Sequence, residues 1–354
     1  VGIKMRLDKA VVEFYDKNYD IVSTPNFNDN TRLLKPAHSV TYLGTKRKVQ
    51  TCRFCKKHSP DVSFKNIAHV FPESIGNKVL ASHYECDECN QKFGNTIEND
   101  YAKFFSIHHS LMNIKGKNGS SKFIWRVPSC PLRTAECYNR CFELSYENGQ
   151  AQIGVCREAN NNFILVNEKS VKLNLPIHKC NPIAVYKTIV KMAISVLPFT
   201  EMKLFEKTIQ WLSNENHKNI FCSGKSLLVR YKMIPGFNVV KHPHFIVYRR
   251  KKEVYNQPYM LFNLTYGCFS LLIEVPRDND NSTGNFSLIP FPEIPFFTSA
   301  EGVWDLSNPC LPESATHKID LNFDGFKDVT ADVEIISEKG KRKVVIKDKP
   351  NDNQ

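Results

Sequence analysis

The sequence contains no run of about 18 apolar residues, the length that a membrane-spanning helix requires. The best candidate, 183–197, is interrupted by Lys187 and Lys191. There is no internal repeat, and the fragment 223–225 (Ser-Gly-Lys) lacks the upstream glycine of a phosphate-binding loop. These absences exclude a helical membrane protein, a repeat array and a P-loop nucleotide hydrolase, and we expect no membrane partner.

Cysteine is too sparse for a secreted disulfide scaffold, because its 12 residues are spread over 354 positions. Four of them form two Cys-x-x-Cys pairs, and the other eight are scattered. We therefore expect a reducing compartment, the cytoplasm, in which the paired cysteines are metal ligands.

The remaining composition is that of an ordinary globular protein, with 42% hydrophobic and 24% charged residues, which excludes a disordered or collagen-like chain. The 48 Lys and Arg residues exceed the 36 Asp and Glu residues and give a formal net charge of +12. A basic surplus suits an anionic partner such as nucleic acid, although basic proteins with neutral partners are also common.

The length predicts two domains, because single domains typically have about 100–200 residues. The polar stretch 115–121 is the best linker signal, so we expect an N-terminal domain at 1–120, with its core at 48–113, and a larger C-terminal domain at 121–354. The predicted fold class is α+β, with a helix pair and an antiparallel sheet in the second domain. The expected strands are 10–15, 20–22, 62–69, 141–146, 151–155, 226–233, 244–248, 259–266 and 269–275, with a terminal hairpin at 332–349. The expected helices are 90–113, 182–197 and 201–213, with Asn181 as the cap of the second and Pro182 at its first position. Asn148-Gly149 is the expected turn of a hairpin between strands 141–146 and 151–155.

Two Cys-x-x-Cys knuckles enclose the most informative window of the sequence. Cys52 and Cys55 form the first, and Cys86 and Cys89 form the second. Each tight turn presents two sulfurs, so the two knuckles together predict a tetrahedral zinc site. Unpaired buried thiols and a redox pair are the alternatives.

Six basic residues overlap the first knuckle, and no acid interrupts them. This pattern predicts a surface that faces phosphate groups, and a solvated, self-repelling face is the alternative. The six residues are Lys46, Arg47, Lys48, Arg53, Lys56 and Lys57.

A recognisable pattern lies between the knuckles. The sequence at 67–73 reads Ile-Ala-His-Val-Phe-Pro-Glu, Gly76-Asn77 follows, and Asn90 comes directly after the second knuckle. This order resembles the HNH endonuclease family, whose core is a ββα-metal fold, in the subgroup with two Cys-x-x-Cys zinc knuckles. The resemblance covers 48–101, about a seventh of the chain.

The resemblance implies a role for each matching residue. His69 would be the general base, since an imidazole with a pKa of about 6.5 can deprotonate water at neutral pH. Asn77 would hold the loop between the two strands and help to orient His69. Asn90 would bind a catalytic Mg²⁺ or Mn²⁺ ion, and the zinc would be structural.

The sequence departs from the family pattern at two positions. Ala68 stands where the family usually has an acid or a histidine that binds the metal, and Phe93 stands where it often has lysine. Glu98, eight residues beyond Asn90 on the expected helix, is the favoured replacement ligand. Glu73 and His83 are alternatives, and an inactive nuclease that kept its zinc fold is another.

The function implied by the resemblance is metal-dependent hydrolysis of phosphodiester bonds in nucleic acid, with DNA favoured over RNA and with 5′-phosphate and 3′-hydroxyl products. A restriction or anti-phage defence effector is the expected biological role. The second domain would select targets, form a homodimer, or respond to an activating ligand or partner protein. The alternatives are a non-catalytic, zinc-stabilised nucleic-acid-binding protein and a structural protein whose charge is incidental.

Overall fold

The structure is a computed structural model, and it describes fifteen segments of the chain. They are 9–25, 40–117, 119–120, 123–126, 140–147, 150–155, 163–167, 170–218, 226–233, 240–278, 284–292, 300–312, 315–322, 329–336 and 341–348.

Within these segments the chain forms six α-helices and nineteen strands. The helices are α1 (Lys9–Asn18), α2 (Asp87–Asn95), α3 (Ile97–Phe104), α4 (Ser106–Leu111), α5 (Pro182–Val196) and α6 (Glu206–Ser213). The strands are β1 (Tyr19–Ser23), β2 (Thr41–Leu43), β3 (Ala68–His69), β4 (Leu80–Ser82), β5 (Lys115–Gly116), β6 (Gly119–Ser120), β7 (Phe123–Arg126), β8 (Arg140–Glu147), β9 (Gln150–Val155), β10 (Phe163–Asn167), β11 (Ser170–Pro176), β12 (Leu228–Met233), β13 (Val240–Arg250), β14 (Met260–Gly267), β15 (Phe269–Glu274), β16 (Ala300–Asp305), β17 (Thr316–Asn322), β18 (Val329–Ile336) and β19 (Lys341–Asp348).

The strands assemble into mainly antiparallel sheets, which confirms the predicted α+β class. The largest sheet has the order β1-β13-β14-β15-β12-β16, and a five-stranded sheet has the order β18-β19-β9-β8-β7. Two three-stranded sheets, β10-β11-β17 and β2-β4-β3, and the β5-β6 pair complete the set among the described residues. The predicted hairpin of β8 and β9 is present, and β14 and β15, predicted as strands of an antiparallel sheet, lie next to each other in the largest sheet.

Three predicted elements differ from the structure. The expected strand at 10–15 is part of helix α1, because Val11, Phe14 and Tyr15 recur at helical spacing and pack into a hydrophobic cluster. The expected strand at 62–69 shortens to β3, because the backbone N–H groups of Lys65 and Asn66 bond to a side chain rather than to a strand.

The expected helix at 90–113 is three helices, with breaks at Thr96 and Phe105. Thr96 leaves the helical region, with φ −112° and ψ −94°, and its Oγ1 donates to the carbonyl oxygen of Lys92. Such a local bond from side chain to backbone competes with helix continuation. Asn90 and Glu98 therefore lie on two separate helices rather than on one.

Helix α5 is the central element of the core, and all 15 of its residues are buried. Asn181 begins it as predicted, since its Oδ1 accepts from the backbone N–H of Ile183 at 2.9 Å, and Pro182 occupies the first turn. α5 packs against α3 of the N-terminal region. One cluster of buried side chains runs from Cys52 to Ile319. The domain boundary at residue 120 stays a prediction. The buried cluster includes residues on both sides of that position.

The N-terminal strand β1 also joins elements that are distant in sequence. It pairs antiparallel with β13, and Tyr19 lies opposite Arg250. None of the helices in the described segments has the length and apolar character to cross a membrane.

Three histidine rings lie in the core beside α3 and β17. The Nε2 atom of His317 bonds to the carbonyl oxygen of Phe104 at 2.8 Å, and that of His109 lies 3.2 Å from the hydroxyl of Tyr266. Neither ring nitrogen of His108 has a hydrogen-bond partner. Burial lowers the pKa of His109 to about 3 and that of His317 to about 4. Burial, with the neighbouring His317 and His109, also lowers the pKa of His108.

We expect these rings to make the fold sensitive to acid. The unfolded chain takes up protons near pH 6.5 and the core does not, so the free energy of unfolding falls as the pH drops below that value. Between pH 7 and pH 5.5 the loss is about 1 kcal/mol per ring. Between these two pH values, the free energy of unfolding of the His108→Phe variant should fall by about 1 kcal/mol less than that of wild type. Urea titrations at each pH measure the difference. The exposed His58→Gln variant should match wild type. An equal pH dependence in wild type and His108→Phe would contradict the prediction.

Candidate active site and metal centre

Four cysteines lie together where two loops meet α2. The Sγ atoms of Cys52, Cys55, Cys86 and Cys89 all lie within 4.8 Å of one another, and none of the four is in a disulfide. The Sγ atoms of Cys55 and Cys86 are 3.8 Å apart. A tetrahedron with Zn–S bonds of about 2.3 Å has edges of about 3.8 Å. As the spacing predicted, the four cysteines form one group that can hold a metal ion, and the donor set fits Zn²⁺.

Local backbone geometry delivers the sulfurs in pairs. In the first knuckle the backbone N–H of Cys52 donates to the carbonyl oxygen of Lys57 at 2.8 Å, and Lys56 adopts a left-handed conformation with φ 64°. In the second, α2 begins directly after Cys86 and carries Cys89 in its first turn. Because each tight turn presents two sulfur atoms on the same side, the Cys-x-x-Cys spacing is a good predictor of metal ligands.

The surroundings of Cys52 favour the deprotonated form that binds metal, whereas burial raises the pKa of Cys86 and the hydrogen bond to Cys52 raises that of Cys89. The thiol of Cys89 hydrogen-bonds to Cys52 and lowers its pKa to about 5, and nearby backbone N–H groups act in the same direction. The backbone N–H of Cys86 also donates to the Sγ atom of Cys52, at 3.5 Å. Four thiolates leave no coordination position for water, so an ion bound here braces the fold and does not activate a nucleophile.

Asn77 closes the loop of the short hairpin between β3 and β4. Its Nδ2 donates to the carbonyl oxygens of Phe71 and Leu80, each at 2.9 Å, and its Oδ1 accepts from the backbone N–H of Leu80 at 3.0 Å. The side chain is almost fully buried, with 1% of the residue exposed. Asn77 thus sets the shape of the loop that follows His69, and no direct bond between the two side chains is seen.

His69 stands at the end of β3 and contacts an acid that the sequence pattern named only as an alternative metal ligand. Its Nε2 lies 3.2 Å from Oε1 of Glu73, in a pair that is mostly shielded from solvent. Its Nδ1 is buried and has no hydrogen-bond partner. A carboxylate accepts from the ring nitrogen that carries the proton, so Glu73 favours the tautomer with the lone pair on the other nitrogen.

Asn90 projects from the first turn of α2, which contacts β3. The neighbouring Asp87 fixes the approach to β3, because its carboxylate accepts from the Ser63 hydroxyl and from the backbone N–H groups of Lys65 and Asn66. Burial alone would raise the pKa of Asp87, but these hydrogen bonds lower it overall. The carboxylate of Asp87 is therefore held by structural contacts, while Asn90, on the same helix, stays partly exposed.

Glu98 does not lie on the helix of Asn90, so the reason for choosing it as a metal ligand does not hold. Its carboxylate lies 3.1 Å from Nζ of Lys191 on α5, and Glu85 lies at the same distance from that amine. Burial alone would lower the pKa of Lys191, but the two carboxylates raise it, so the amine is charged. This buried triad joins the zinc-knuckle region to α5. Glu85 and Glu98 precede Lys191 by 106 and 93 positions, which is too far for a sequence pattern to pair them.

The predicted basic surface divides into two parts. Arg53 is only 5% exposed, and its Nη1 donates to the carbonyl oxygens of Ile194 and Leu197. Both carbonyls lie at the C-terminal end of α5, where regular helical hydrogen bonds run out, and that of Ile194 also accepts from the backbone N–H of Leu197 at 3.3 Å. The guanidinium group is drawn inward because it supplies donors to this helix end. Arg53 is therefore not part of the surface. The exposed basic surface consists of Lys46, Arg47, Lys48, Lys56 and Lys57.

A catalytic divalent ion has fewer protein ligands available than the zinc. Among the described residues, the four cysteines are the one group of three or more His, Cys, Asp or Glu side chains whose donor atoms meet. His69 and Glu73 bring an imidazole and a carboxylate together, and Asn90 adds an amide oxygen from the neighbouring helix. Mg²⁺ typically uses one or two carboxylates and keeps several waters, so this donor set fits the ion together with water and a substrate phosphate.

Comparison with protein families matches residues 52–106 to the HNH endonuclease family. Comparisons with curated proteins and with solved structures found no match. The matched segment begins at the first zinc ligand and contains β3, the Asn77 loop, β4, α2 and α3. The family indicates nuclease activity on nucleic acid, and therefore a nucleic-acid partner. Residues 52–106 of this chain are thus similar to the HNH endonuclease family, and their four cysteines are placed to hold a metal ion.

Proposed function

We propose that this protein is a metal-dependent endonuclease that hydrolyses phosphodiester bonds of DNA and acts in restriction or anti-phage defence. The observation that carries the proposal is the pairing of His69 with Glu73 on a hairpin whose strand β3 contacts α2, the helix that carries Asn90 and the metal-binding Cys89. A tautomer held by a carboxylate is the state that a general base needs.

In this proposal His69 accepts a proton from the attacking water on the ring nitrogen that does not face Glu73. Glu73 holds the ring in place and stabilises the positive charge that forms on it. Asn77 keeps the loop closed, so that His69 does not have to be ordered when substrate binds. The step forms a bond from the water oxygen to phosphorus and breaks the bond from phosphorus to the 3′-oxygen, which takes a proton from solvent water to become the 3′-hydroxyl.

Asn90 and the second carboxylate oxygen of Glu73 are the groups that would hold Mg²⁺ or Mn²⁺. When bound, such an ion supplies Lewis-acid stabilisation of the charge that grows on the phosphate oxygens. The zinc in this proposal is structural. The exposed basic surface would contact the phosphates of the bound strand, and that contact predicts salt-sensitive binding.

The C-terminal half is proposed to select the target, to form a homodimer or to respond to an activating ligand or partner protein. The competing function is a zinc-stabilised protein that binds nucleic acid without cutting it. Both functions require the basic surface, and only the nuclease requires His69.

The proposal is tested by plasmid nicking with Mg²⁺ or Mn²⁺, with wild type and His69→Ala at equal zinc content. We expect wild type to cut and His69→Ala to be slower by roughly 10²–10⁴-fold, which is the usual contribution of a general base. The matched control is His58→Ala, which removes an exposed imidazole from the same zinc-bound region and should keep wild-type activity. Equal cleavage by wild type and His69→Ala would reject His69 as the base. DNA binding by the wild-type full chain without metal-dependent cleavage would favour the non-catalytic function.

A further inference from the structure

A cavity of about 280 Å³ opens beside the first zinc knuckle. Its walls come from three parts of the chain: the loop that contains the exposed basic surface, the two residues that follow β4, and the segment after α5. No Asp or Glu lines it. The lining residues are Thr45, Arg47, Val49, Gln50, Thr51, Cys52, Arg53, Lys56, His83, Tyr84, Phe199 and Met202.

The cavity is lined by three cationic side chains and by no carboxylate. Arg47 and Lys56 reach it from the exposed basic surface, and Arg53 reaches it from inside. Arg53 is 5% exposed, yet no carboxylate of the described residues lies within ion-pair distance of it, and its Nε has no hydrogen-bond partner. A buried cation with unused donors is costly unless an anion completes its surroundings.

Aromatic rings share the cavity with these cations. Phe199 is 54% exposed although it is a large apolar residue, and its ring meets that of Tyr84 edge to face, with centroids 4.6 Å apart. The Arg53 guanidinium lies over both rings, 4.9 Å and 5.5 Å from their centroids. Aromatic faces beside cationic groups are the combination by which proteins hold unpaired bases of a single strand.

His83 connects this cavity to the face of the sheet that carries His69. Ala81 of β4 pairs with His69 of β3 on one side and with Tyr42 of β2 on the other, so the three side chains share one face. Strands are about 4.8 Å apart, which places Tyr42 and His69 about 10 Å from each other along this row. The ring of His83 stacks on that of Tyr42, with centroids 4.2 Å apart and planes 5° apart. One bound strand can therefore reach both His69 and the cavity.

We propose that the cavity binds one nucleotide of the substrate strand, with its unpaired base against Phe199, Tyr84 and His83 and its phosphate on Arg47, Arg53 and Lys56. The assignment to the substrate strand rests on the proposed nuclease function, whereas the chemistry recognised, a nucleoside phosphate, does not. The volume lies just below the range of about 300–1,000 Å³ for small-molecule sites, which suits a single nucleotide. Burial and the nearby Lys46 lower the pKa of His83, so its ring is neutral when a base approaches.

The test measures binding rather than cleavage, in the zinc-loaded full chain that carries His69→Ala. The probes are 2′-deoxyadenosine 5′-monophosphate, 2′-deoxyadenosine and inorganic phosphate. The binding of each is measured by isothermal titration calorimetry. We expect the nucleotide to bind more tightly than either fragment. Phe199→Ala should weaken it by roughly 5- to 150-fold, the usual effect of losing one stacked base, and Arg47→Ala should weaken it as well. Both residues are exposed, so both variants should fold, which thermal unfolding checks.

Matched controls separate the cavity from general effects of charge and exposed rings. Tyr255→Ala removes a ring that is 77% exposed elsewhere on the protein, and Lys252→Ala removes an exposed charge far from the knuckle in sequence. Both should bind the nucleotide as the parent does. Equal weakening by the controls and by the cavity variants would overturn the proposal.

A second arm uses a labelled single-stranded DNA oligonucleotide. Weakening of both ligands by Phe199→Ala and Arg47→Ala supports a substrate nucleotide in the cavity. Weakening of the mononucleotide alone would assign the cavity to a free nucleotide and overturn the substrate assignment. If neither ligand depends on these residues, the cavity proposal fails, while metal-dependent nicking that is lost on His69→Ala would leave the nuclease proposal standing.

Discussion

Replacing Cys86, one of the four cysteines placed to hold a metal ion, should abolish metal binding and unfold the region from 52 to 106. The hairpin of this region has little regular structure to support itself, since β3 has 2 residues and β4 has 3. Structural zinc contributes about 10–16 kcal/mol to the folding of small zinc-binding peptides, which is as large as the whole stability of a typical domain, about 5–15 kcal/mol. We therefore expect the Cys86→Ser variant to lose stoichiometric zinc and the protease resistance of this region.

The matched control is Cys310→Ser, because Cys310 is an exposed cysteine outside the metal group. This variant should keep one zinc per chain and the wild-type thermal unfolding curve. Zinc is measured by elemental analysis, and folding by circular dichroism and limited proteolysis. A Cys86→Ser protein with full zinc content and an unchanged melting temperature would show that the four cysteines do not form the site.

The second large effect is expected at Lys191, whose amine is fully buried between Glu85 and Glu98. The Lys191→Met variant keeps most of the side-chain volume but leaves two carboxylates facing each other without a cation. Removal of one partner from a buried ion pair typically costs about 3–5 kcal/mol, because the remaining charge has lost both its partner and its water. The free energy of unfolding, measured in denaturant, should fall by about that amount.

Compensating changes distinguish loss of the ion pair from loss of packing. Adding Glu85→Gln and Glu98→Gln to Lys191→Met removes the unpaired charges and should recover a large part of the lost stability. Lys9→Met breaks an exposed pair with Glu13 and should change stability little. If the triple variant were as unstable as Lys191→Met alone, the effect would come from packing, and the electrostatic account would be wrong.

Local signals in the sequence were sufficient for much of the fold. Helix α5 was predicted with its cap at Asn181, since a capping amide and an adjacent proline act within one turn. Strands β14 and β15 were predicted as members of an antiparallel sheet, in which they pair with each other. The errors fell where local signals are ambiguous. Helix α1 is short enough to be read as a strand, and the break at Thr96 depends on a side-chain bond that competes with a regular helix.

The candidate site divides in the same way. The spacing of the cysteines and the order of His69, Asn77 and Asn90 determined by themselves the metal group and the family, because each tight turn sets the positions of its own donors. Only the tertiary structure decided which charged side chains can contact a ligand and which are held by other parts of the chain. Glu98 is paired with Lys191, and Arg53 is drawn to the end of α5, through partners about 90–140 positions away. Whether a charged group faces solvent, a cavity or the core depends on such long-range contacts, which no local pattern encodes.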